Sequence, residues 1–355
     1  MAGASESIVA ATAARIFADL ADPQTVNRAQ DDGWAAGVWT AIEAAGLPLA
    51  WVPDELGGSG ADIEDGFAVL AAAGGCALAV PLAETLLAGW LLARAGISSP
   101  PQAMTVAPAR PHDRVTLGAD GTLSGRAAGV PFAAATRHIA VLADSDTGPV
   151  VALAATTDCR VAPGRNIAGD PSDAVGFDHV KPLHLAPAPA GLNRDALMLM
   201  GATVRAVQTA GALEAILAMS VAYANERVAF ERPIGKFQAV QQNLARLAGE
   251  VAAALAVSGS AADTMAQVDA ADDAVFLEAA SAKIRCAEAA QDGAAIAHQV
   301  FGAIGFTKEH VLHRFTLRML SWRDDFGNES HWAAELGRRV ARGGADAFWP
   351  LVASR

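Results

Sequence analysis

The stretch at residues 223–241 concentrates side chains that could bind a charged ligand. It joins two long apolar-periodic segments and contains Arg227, Pro233, Gly235 and Gln238. Because proline cannot continue a helix and glycine permits a turn, the order of residues predicts that one helix ends at Arg227 and the next begins near Gln238. The first N–H groups of a helix lack partners, and a fork-shaped cation beside them suits an anion such as a pyrophosphate.

A structural interpretation of the same stretch stays open. Arginines are common at helix ends, where they bond to the last carbonyl groups. Arg227 could cap its helix in this way, or pair with Glu226 or Glu231. The stretch alone therefore predicts a helix hairpin and leaves its ligand undecided.

A second candidate for ligand binding is the run of residues 298–306, His-Gln-Val-Phe-Gly-Ala-Ile-Gly-Phe. Gly302 and Gly305 would let the backbone approach a ligand closely at the end of a helix, and Gln299 can donate and accept hydrogen bonds. The same glycines would also serve simply to end the helix.

Two further sets of polar and charged residues are better explained by a structural role than by a catalytic or metal-binding role. The spacing of His310 and His313 would put them on one helix face with Glu309 nearby, but no third spaced ligand is evident, so we expect packing and no metal. The segment from Lys283 to Glu288 is typical of a solvated helix face in which Glu288 pairs with Lys or Arg.

Composition limits the classes of function. The 355 residues are 52% hydrophobic but only 6% aromatic, which suits closely packed alanine-rich helices. The net charge is −12 and no basic stripe is present, so nucleic acid is not an expected partner. Three scattered cysteines, no signal-like N-terminus and no apolar stretch of about 18 residues predict a cytoplasmic protein outside the membrane.

The periodicity of apolar residues divides the chain into three regions. Helical patterns occupy residues 8–98, short β-type runs occupy 104–185, and long helical patterns fill the rest. We therefore predict an α+β protein with domains at 1–100, 101–190 and 191–355. Helix faces rich in Ala and Leu also favour packing between subunits, as a dimer or tetramer.

The junction resembles the signature of the acyl-CoA dehydrogenase family, which joins the first two helices of the C-terminal bundle. Glu231 stands where the family usually has glycine. The matching residues are Tyr223, Arg227, Phe230, Arg232, Pro233, Ile234 and Gln238.

The resemblance implies a fold and a function. The family has an N-terminal helical domain, a middle β-barrel domain and a C-terminal four-helix bundle. Its members oxidise acyl-CoA thioesters with FAD and pass the electrons to an electron-transferring flavoprotein, in fatty acid or steroid catabolism. The resemblance implies that FAD is held, partly across a subunit interface, by Arg227, Phe230, Gln238, Gln299 and Gly302.

The middle region departs from the family at both places where the family contacts the isoalloxazine ring. Residues 105–110, Thr-Val-Ala-Pro-Ala-Arg, replace the family's Thr-Glu-Pro-Gly-x-Gly-Ser-Asp loop. Residues 129–132, Gly-Val-Pro-Phe, replace its Trp-Ile-Thr/Ser strand. Either backbone atoms substitute for the lost side chains, or flavin binding is altered.

The catalytic glutamate of the family also has no direct counterpart. Its loop position falls on Phe326, and its alternative position on the first bundle helix falls near Ala202, in a run (196–213) without any acid. Asp325 is one residue from the loop position, and Asp324 is a weaker candidate.

Three interpretations of these acids remain. Asp325, or less favourably Asp324, could remove the substrate α-proton. Alternatively the chain has no base and is the partner subunit of a heteromeric enzyme, like actinobacterial members of the family that act on steroid side chains. In the structural interpretation both aspartates pair with Arg323 or Arg318.

Overall fold

The computed structural model describes residues 7–29, 33–267 and 273–353. Helices precede and follow a central set of strands along the chain. This order agrees with the three regions that the apolar pattern indicates, while the domain boundaries themselves stay a prediction.

Five helices form the N-terminal region. Ser7 caps the first helix and Asp22 the second, each by accepting a backbone N–H, as short polar side chains do at helix starts. The fifth helix is buried along nearly its whole length, including Glu84. The helices are α1 (Ile8–Leu20), α2 (Pro23–Arg28), α3 (Gly33–Ala44), α4 (Ile63–Gly75) and α5 (Leu82–Arg94).

The middle region is one mixed eight-stranded sheet. Its strands are β1 (Met104–Ala107), β2 (Arg114–Leu117), β3 (Leu123–Pro131), β4 (His138–Ser145), β5 (Gly148–Ala155), β6 (Arg160–Ala162), β7 (Ser172–Val180) and β8 (His184–Pro187). The strand order is β6-β7-β3-β2-β4-β5-β8, and β1 pairs in parallel with β4. The sheet is therefore an open path with β6 and β8 at its ends, and no β6–β8 ladder closes it among the described residues.

The C-terminal region is helical. Its long helices are α6 (Arg194–Glu226), α7 (Gln238–Gln267) and α8 (Asp273–Phe301), followed by α9 (Leu312–Trp322), α10 (Glu329–Gly343) and α11 (Ala345–Ala353). A two-residue-per-strand hairpin, β9 (Val228–Ala229) with β10 (Arg232–Pro233), fills the junction between α6 and α7. The predicted helix boundaries at Arg227 and Gln238 are confirmed.

The apolar periodicity of the sequence predicts one helix from His310 to Phe326 and another from His331 to Leu351. The first is helical only over Leu312–Trp322, and the second is divided by Gly344 into α10 and α11. Gly344 has a φ of 76°, which a glycine adopts without steric cost.

Close approach of α4 to α6 ties the N-terminal region to the bundle. A Cβ on Gly74 would lie 2.0 Å from the carbonyl oxygen of Gln208, and one on Gly211 would lie 2.1 Å from that of Ala71. Only glycine fits at these contacts. The largest apolar cluster accordingly runs from the N-terminal helices through β1, β4 and β5 to α6.

Helices α6 and α7 are long and apolar enough to cross a membrane by length and composition alone. Both pack in the bundle, and the most apolar window of α6 is 56% buried against 28% for α7. Buried core helices pass the same test, so these lengths say little about a membrane. The exposed apolar surface of α7 is instead typical of a face that packs on another subunit.

Candidate active site

A buried ion network lies where the N-terminal helices meet the bundle. Arg205, on α6, donates from Nε to the Asp325 carboxylate at 2.9 Å and from Nη2 to Glu84 at 2.6 Å. Its Nη1 donates to Gln208 at 2.7 Å. The side chains of Arg205 and Glu84 are each only 4% exposed. One cation therefore joins α5, α6 and the loop after α9.

The network keeps Arg205 charged. Burial alone would lower the pKa of Arg205, but the carboxylates of Glu84 and Asp325 outweigh that effect and raise it. Burial raises the pKa of Glu84 above its ordinary value, although the guanidinium acts in the opposite direction. Removing Arg205 would leave the buried Glu84 carboxylate without its cation.

Lys283 brings a second buried cation to the same region. It is 2% exposed, and its Nζ donates to the backbone oxygen of Trp322, at the end of α9. Burial lowers the pKa of Lys283 to about 7, and the nearby charge of Asp325 opposes that shift. The prediction of a solvated face is thus wrong for Lys283. It is right for Glu288, which pairs with Arg285 at 3.5 Å.

Phe326, on which the resemblance places the family's catalytic glutamate, belongs to the core. Its φ is 55°, its N–H donates to the oxygen of Ala109 at 2.9 Å, and its own oxygen accepts from Trp332 Nε1 at 3.0 Å. Its ring packs so tightly on α6 that a Cβ on Gly201 would lie 2.3 Å from it. The loop is held from both sides, and it presents no carboxylate at this position.

The aspartates of this loop do not have the partners that the sequence suggested. Arg318 binds Asp170 through two hydrogen bonds of 2.9 and 2.7 Å, and Arg323 pairs with Glu329. Asp325 pairs with Arg205 instead. The side chain of Asp324 is exposed, and within the described ranges it has no ion-pair partner.

Little space remains between Phe132, in the segment that replaces a flavin-contacting strand of the family, and Asp325, the candidate base. They line a cavity of about 20 Å³ together with Glu84 and Arg205. A water molecule needs about 10–15 Å³ of such volume, whereas a cofactor or drug-sized ligand occupies about 300–1,000 Å³. This cavity is too small for a flavin ring, but a larger cavity of about 870 Å³ shares Phe132, Asp170 and Pro171 with it.

The junction after α6 lies on the surface. Arg227 and Gln238 are exposed, and Phe230 is 89% exposed at the tip of the β9–β10 hairpin. Phe230 and Glu231 have φ values of 51° and 65°, a turn conformation that glycine adopts most easily. Glu231, which stands where the family usually has glycine, therefore has a backbone conformation that favours glycine. The guanidinium of Arg232 adds a cation–π contact with Phe237, 4.2 Å from the ring centre.

The two candidate dinucleotide-binding motifs meet at one end of the bundle. The rings of Tyr223 and Phe301 are 4.5 Å apart, and the Tyr223 hydroxyl donates to the Phe301 oxygen at 3.4 Å. Gln299 is exposed beside this contact, and Gly302, with a φ of 64°, turns the chain after α8. The structure thus joins the ends of the two motifs through Tyr223 and Phe301, with Arg227 and Gln299 both exposed.

The histidine pair after this turn forms no metal site. His310 precedes α9, whose first residue is Leu312, so the two histidines do not share a helix face. His313 Nδ1 bonds to the backbone oxygen of His310 at 2.8 Å. No group of three or more metal-binding side chains occurs in the part of the chain that the structure describes.

Sequence reasoning missed Arg205 and Glu84. Each left a signal, because each is a lone charge within an apolar run: Arg205 in residues 196–213 and Glu84 in residues 80–92. A charge so placed must be buried and needs a partner of opposite sign. The partner's identity required the tertiary structure, since 121 residues separate the two.

Comparison with known proteins agrees with this fold. Residues 195–330 match the family described as "Acyl-CoA dehydrogenase, C-terminal domain". Acyl-CoA dehydrogenase FadE27 of Mycobacterium tuberculosis is 30% identical over 331 residues, covering 86% of this chain and 88% of that protein. Acyl-CoA dehydrogenase IpdE2 of the same organism is 29% identical over 310 residues, with the same coverage.

Solved structures show the same fold. The ChsE4-ChsE5 complex from M. tuberculosis contains a chain with a TM-score of 0.85 and 23% identity, covering 96% of this chain and 99% of that one. The Tcur3481-Tcur3483 steroid ACAD has a TM-score of 0.81 and 25% identity, covering 94% and 97%.

The chain belongs to the acyl-CoA dehydrogenase family. Its class is therefore that of oxidoreductases acting on CH–CH groups. The predicted α+β fold and the resemblance to steroid-type members of the family are both confirmed.

Proposed function

We propose that this chain is the base-less subunit of a heteromeric FAD-dependent acyl-CoA dehydrogenase. One observation carries the proposal: the carboxylate of Asp325, next to the base position, is bound to buried Arg205, while Phe326 fills the position itself. The assembly would remove the α and β hydrogens of an acyl-CoA thioester. The partner chain would supply the base.

Asp325 is poorly suited to accept a proton. A general base must reach the reacting C–H within hydrogen-bonding distance, in space that admits the substrate. The cavity beside Asp325 holds about one water molecule, and the hydrogen bond from Arg205 occupies the Asp325 carboxylate. These features support a structural role for Asp325.

The resemblance implies that FAD is shared across a subunit interface. The family motifs that this chain keeps and those that it lacks differ in the side of that interface to which they belong. This chain lacks the two motifs of the β region that, in the family, contact the isoalloxazine ring of the subunit's own flavin. Retained are Arg227, Phe230, Gln238, Gln299 and Gly302, which face outward or turn the chain at the bundle end. FAD, as acceptor of the β hydrogen, would accordingly lie mainly in the partner subunit, with its dinucleotide part on this chain.

Two further observations favour a second, different chain as partner. One structural neighbour is a complex of two unlike chains, ChsE4 and ChsE5. The apolar surface of α7 is largely unburied in this chain alone. We include in the proposal a steroid-derived acyl group, electron transfer to an electron-transferring flavoprotein, and a cytoplasmic location.

The test is to purify the chain alone and with candidate dehydrogenase-like partners, and to follow the absorbance of oxidised flavin. We expect a colourless chain alone and a yellow heteromer that bleaches anaerobically with an acyl-CoA. The proposal also requires that Asp325→Asn leave bleaching by a stable heteromer unchanged. An isolated chain that is yellow and bleaches with an acyl-CoA would overturn the proposal.

A second candidate function is a homomeric enzyme in which Asp325 is the base. The observation in its favour is that the Asp325 side chain is 19% exposed and lines the small cavity. In that case Asp325→Asn would abolish bleaching by an isolated, flavin-bound chain. The same titration therefore separates the two functions.

A further inference from the structure

A single layer of residues separates the small cavity beside Asp325 from the larger one. The inner cavity, as we call the small one, has a volume of about 20 Å³, and the outer cavity has a volume of about 870 Å³. Both cavities are lined by Val80, Phe132, Asp170 and Pro171, which we call the partition. The partition therefore decides whether a molecule in the outer cavity can reach Asp325.

One half of the partition ends a compact turn, residues 165–170, between β6 and β7. The side-chain oxygen of Asn166 accepts from the backbone N–H groups of Ala168 and Asp170, at 2.9 and 3.1 Å. The N–H of Asn166 in turn donates to the backbone oxygen of Asp170 at 3.0 Å. Asparagine side chains that bond to backbone groups nearby stabilise such turns locally. The turn can therefore move as one unit.

An ion pair joins this turn to the helical bundle. Arg318, on α9, donates to both carboxylate oxygens of Asp170, from Nε at 2.9 Å and from Nη2 at 2.7 Å. The side chains of Arg318 and Asp170 are only 6% and 13% exposed. A two-point contact between a guanidinium and a carboxylate fixes orientation as well as distance. The pair thus holds Asp170, and with it the partition, against α9.

The other half of the partition is a residue with a strained backbone. Phe132 has a φ of 55°, a conformation that is unfavourable for a bulky residue. Its N–H donates to the oxygen of Pro171 at 3.3 Å, so the two halves of the partition are bonded to each other. Strain of this kind persists only where the surrounding contacts enforce it. Release of Asp170, the neighbour of Pro171, would therefore also release Phe132.

The charged network around Arg205 lies behind the partition. Glu84, Arg205, Trp322 and Asp325 line the inner cavity and not the outer one. The hydrogen bonds from Arg205 to Glu84 and Asp325 connect α5, α6 and the loop after α9, so they do not depend on the turn between β6 and β7. Movement of the turn would expose the network without breaking it.

We propose that the partition is a gate and that the ion pair between Arg318 and Asp170 is its latch. When the pair separates, the turn moves away from α9, Phe132 leaves its strained conformation, and the inner cavity joins the outer one. In the closed state the inner cavity holds about one water molecule, so larger molecules in the outer cavity do not reach Asp325. In the open state they do. The gate rests on contacts within this chain and does not depend on the proposed function.

The experiment measures how fast acrylamide quenches the fluorescence of Trp322, which is 5% exposed and lines the inner cavity. Acrylamide is larger than water, so it reaches Trp322 through an open partition. Because the chain has seven tryptophans, the signal of a Trp322→Phe chain is subtracted in each background. We expect Asp170→Asn to raise the quenching rate of Trp322 about tenfold, as loss of a hydrogen bond to a charged group does. Phe132→Gly, which removes the ring but keeps the ion pair, should raise it too.

Two controls separate a gate from general loosening of the fold. Asp292→Asn breaks an exposed ion pair with Arg246 and should leave the quenching of Trp322 unchanged. Trp90, which is 9% exposed and lines neither cavity, is the internal reference, read through a Trp90→Phe subtraction. Equal rises at Trp322 and Trp90 would overturn the gate. A Trp322 that stays shielded in folded Asp170→Asn and Phe132→Gly chains would overturn it as well, and Phe132→Gly decides alone if Asp170→Asn does not fold.

Hydrogen exchange tests the gate in the unaltered chain. The N–H of Phe132 bonds across the partition to Pro171, so its exchange requires this contact to open. Asp170→Asn should speed the exchange of this amide by about the same tenfold factor as the quenching of Trp322. Exchange of the Phe132 amide at the same rate in both chains would show that the ion pair is not the latch.

Discussion

Arg205 donates from Nε to the carboxylate of Asp325 at 2.9 Å, across 120 residues of sequence. The contact holds the loop after α9 against the middle of α6, on the side where Phe326 packs on Gly201. An acid next to the family's base position is thereby bound to a buried cation. The ion pairs of Arg205 thus form a structural brace, which holds α5, α6 and the loop after α9 together.

Arg205→Met should strongly destabilise the chain. The substitution leaves Glu84 buried without its cation, and breaking a buried ion pair from one side costs about 3–5 kcal/mol. Urea unfolding followed by circular dichroism measures the change. Adding Glu84→Gln to Arg205→Met should recover part of the loss. An Arg205→Met chain as stable as the original would contradict the brace.

Lys283 should make stability depend on pH. Its pKa in the folded chain is about 7, below the ordinary lysine value of 10.5, so the unfolded chain binds more protons between these values. The contribution of Lys283 is therefore least favourable below about pH 7 and improves as the pH rises towards 10.5. Unfolding free energies of the original chain and Lys283→Met, measured from pH 6 to about 10, should converge or cross as the pH rises. A constant difference would contradict the depressed pKa.

Gly201→Ala should destabilise the chain by about 1–3 kcal/mol, the usual cost of overpacking a core. The new Cβ would lie 2.3 Å from the Phe326 ring. Gly249→Ala is the matched control, because Gly249 is also helical and has nothing within 4 Å of its added Cβ. That control should be neutral or stabilising, by up to about 1 kcal/mol. Thermal unfolding of both variants checks the prediction.

Glu231→Gly should stabilise the hairpin after α6. Glu231 has a φ of 65°, and relief of this conformation is worth about 1 kcal/mol, less the entropy that glycine adds to the unfolded chain. Ala229→Gly, at a position of ordinary φ, should instead destabilise. The melting temperatures of the two variants should therefore move in opposite directions, and a shared direction would count against strain at Glu231.

Arg227→Ala should lower the flavin content of the heteromer without unfolding this chain. Arg227 is exposed, so its loss removes a cation from the proposed dinucleotide surface and little packing. The ratio of flavin absorbance to protein in the purified assembly measures the effect. Arg338→Ala, which removes an exposed arginine elsewhere, should retain flavin fully. Full retention by Arg227→Ala would remove Arg227 from the site.

Local signals made the outward-facing motifs predictable from sequence. Pro233 and the turn residues around it set the boundary between α6 and α7 at Arg227 and Gln238. The helix-ending glycine at 302 likewise has the positive φ that its position indicates. These features depend on backbone geometry within a few residues, which the sequence states directly.

The buried charges and their partners could not be predicted in the same way. Periodicity gave no sign that Lys283 faces inward, because a lysine on an alanine-rich helix usually faces solvent. Arg323 and Arg318 are nearer in sequence to the loop acids at 324 and 325 than Arg205 is. These two arginines nevertheless bind Glu329 and Asp170. Which charges pair depends on contacts between distant segments.

The sequence by itself determined the family, the order of helices and strands, and the absence of a glutamate at both expected base positions. Tertiary structure alone decided that Asp325 is bound by Arg205, and that the cavity beside these two residues has a volume of only about 20 Å³. The physical reason is burial. A charge taken out of water must be neutralised by whichever opposite charge the fold brings within hydrogen-bonding distance, and sequence order does not reveal that neighbour.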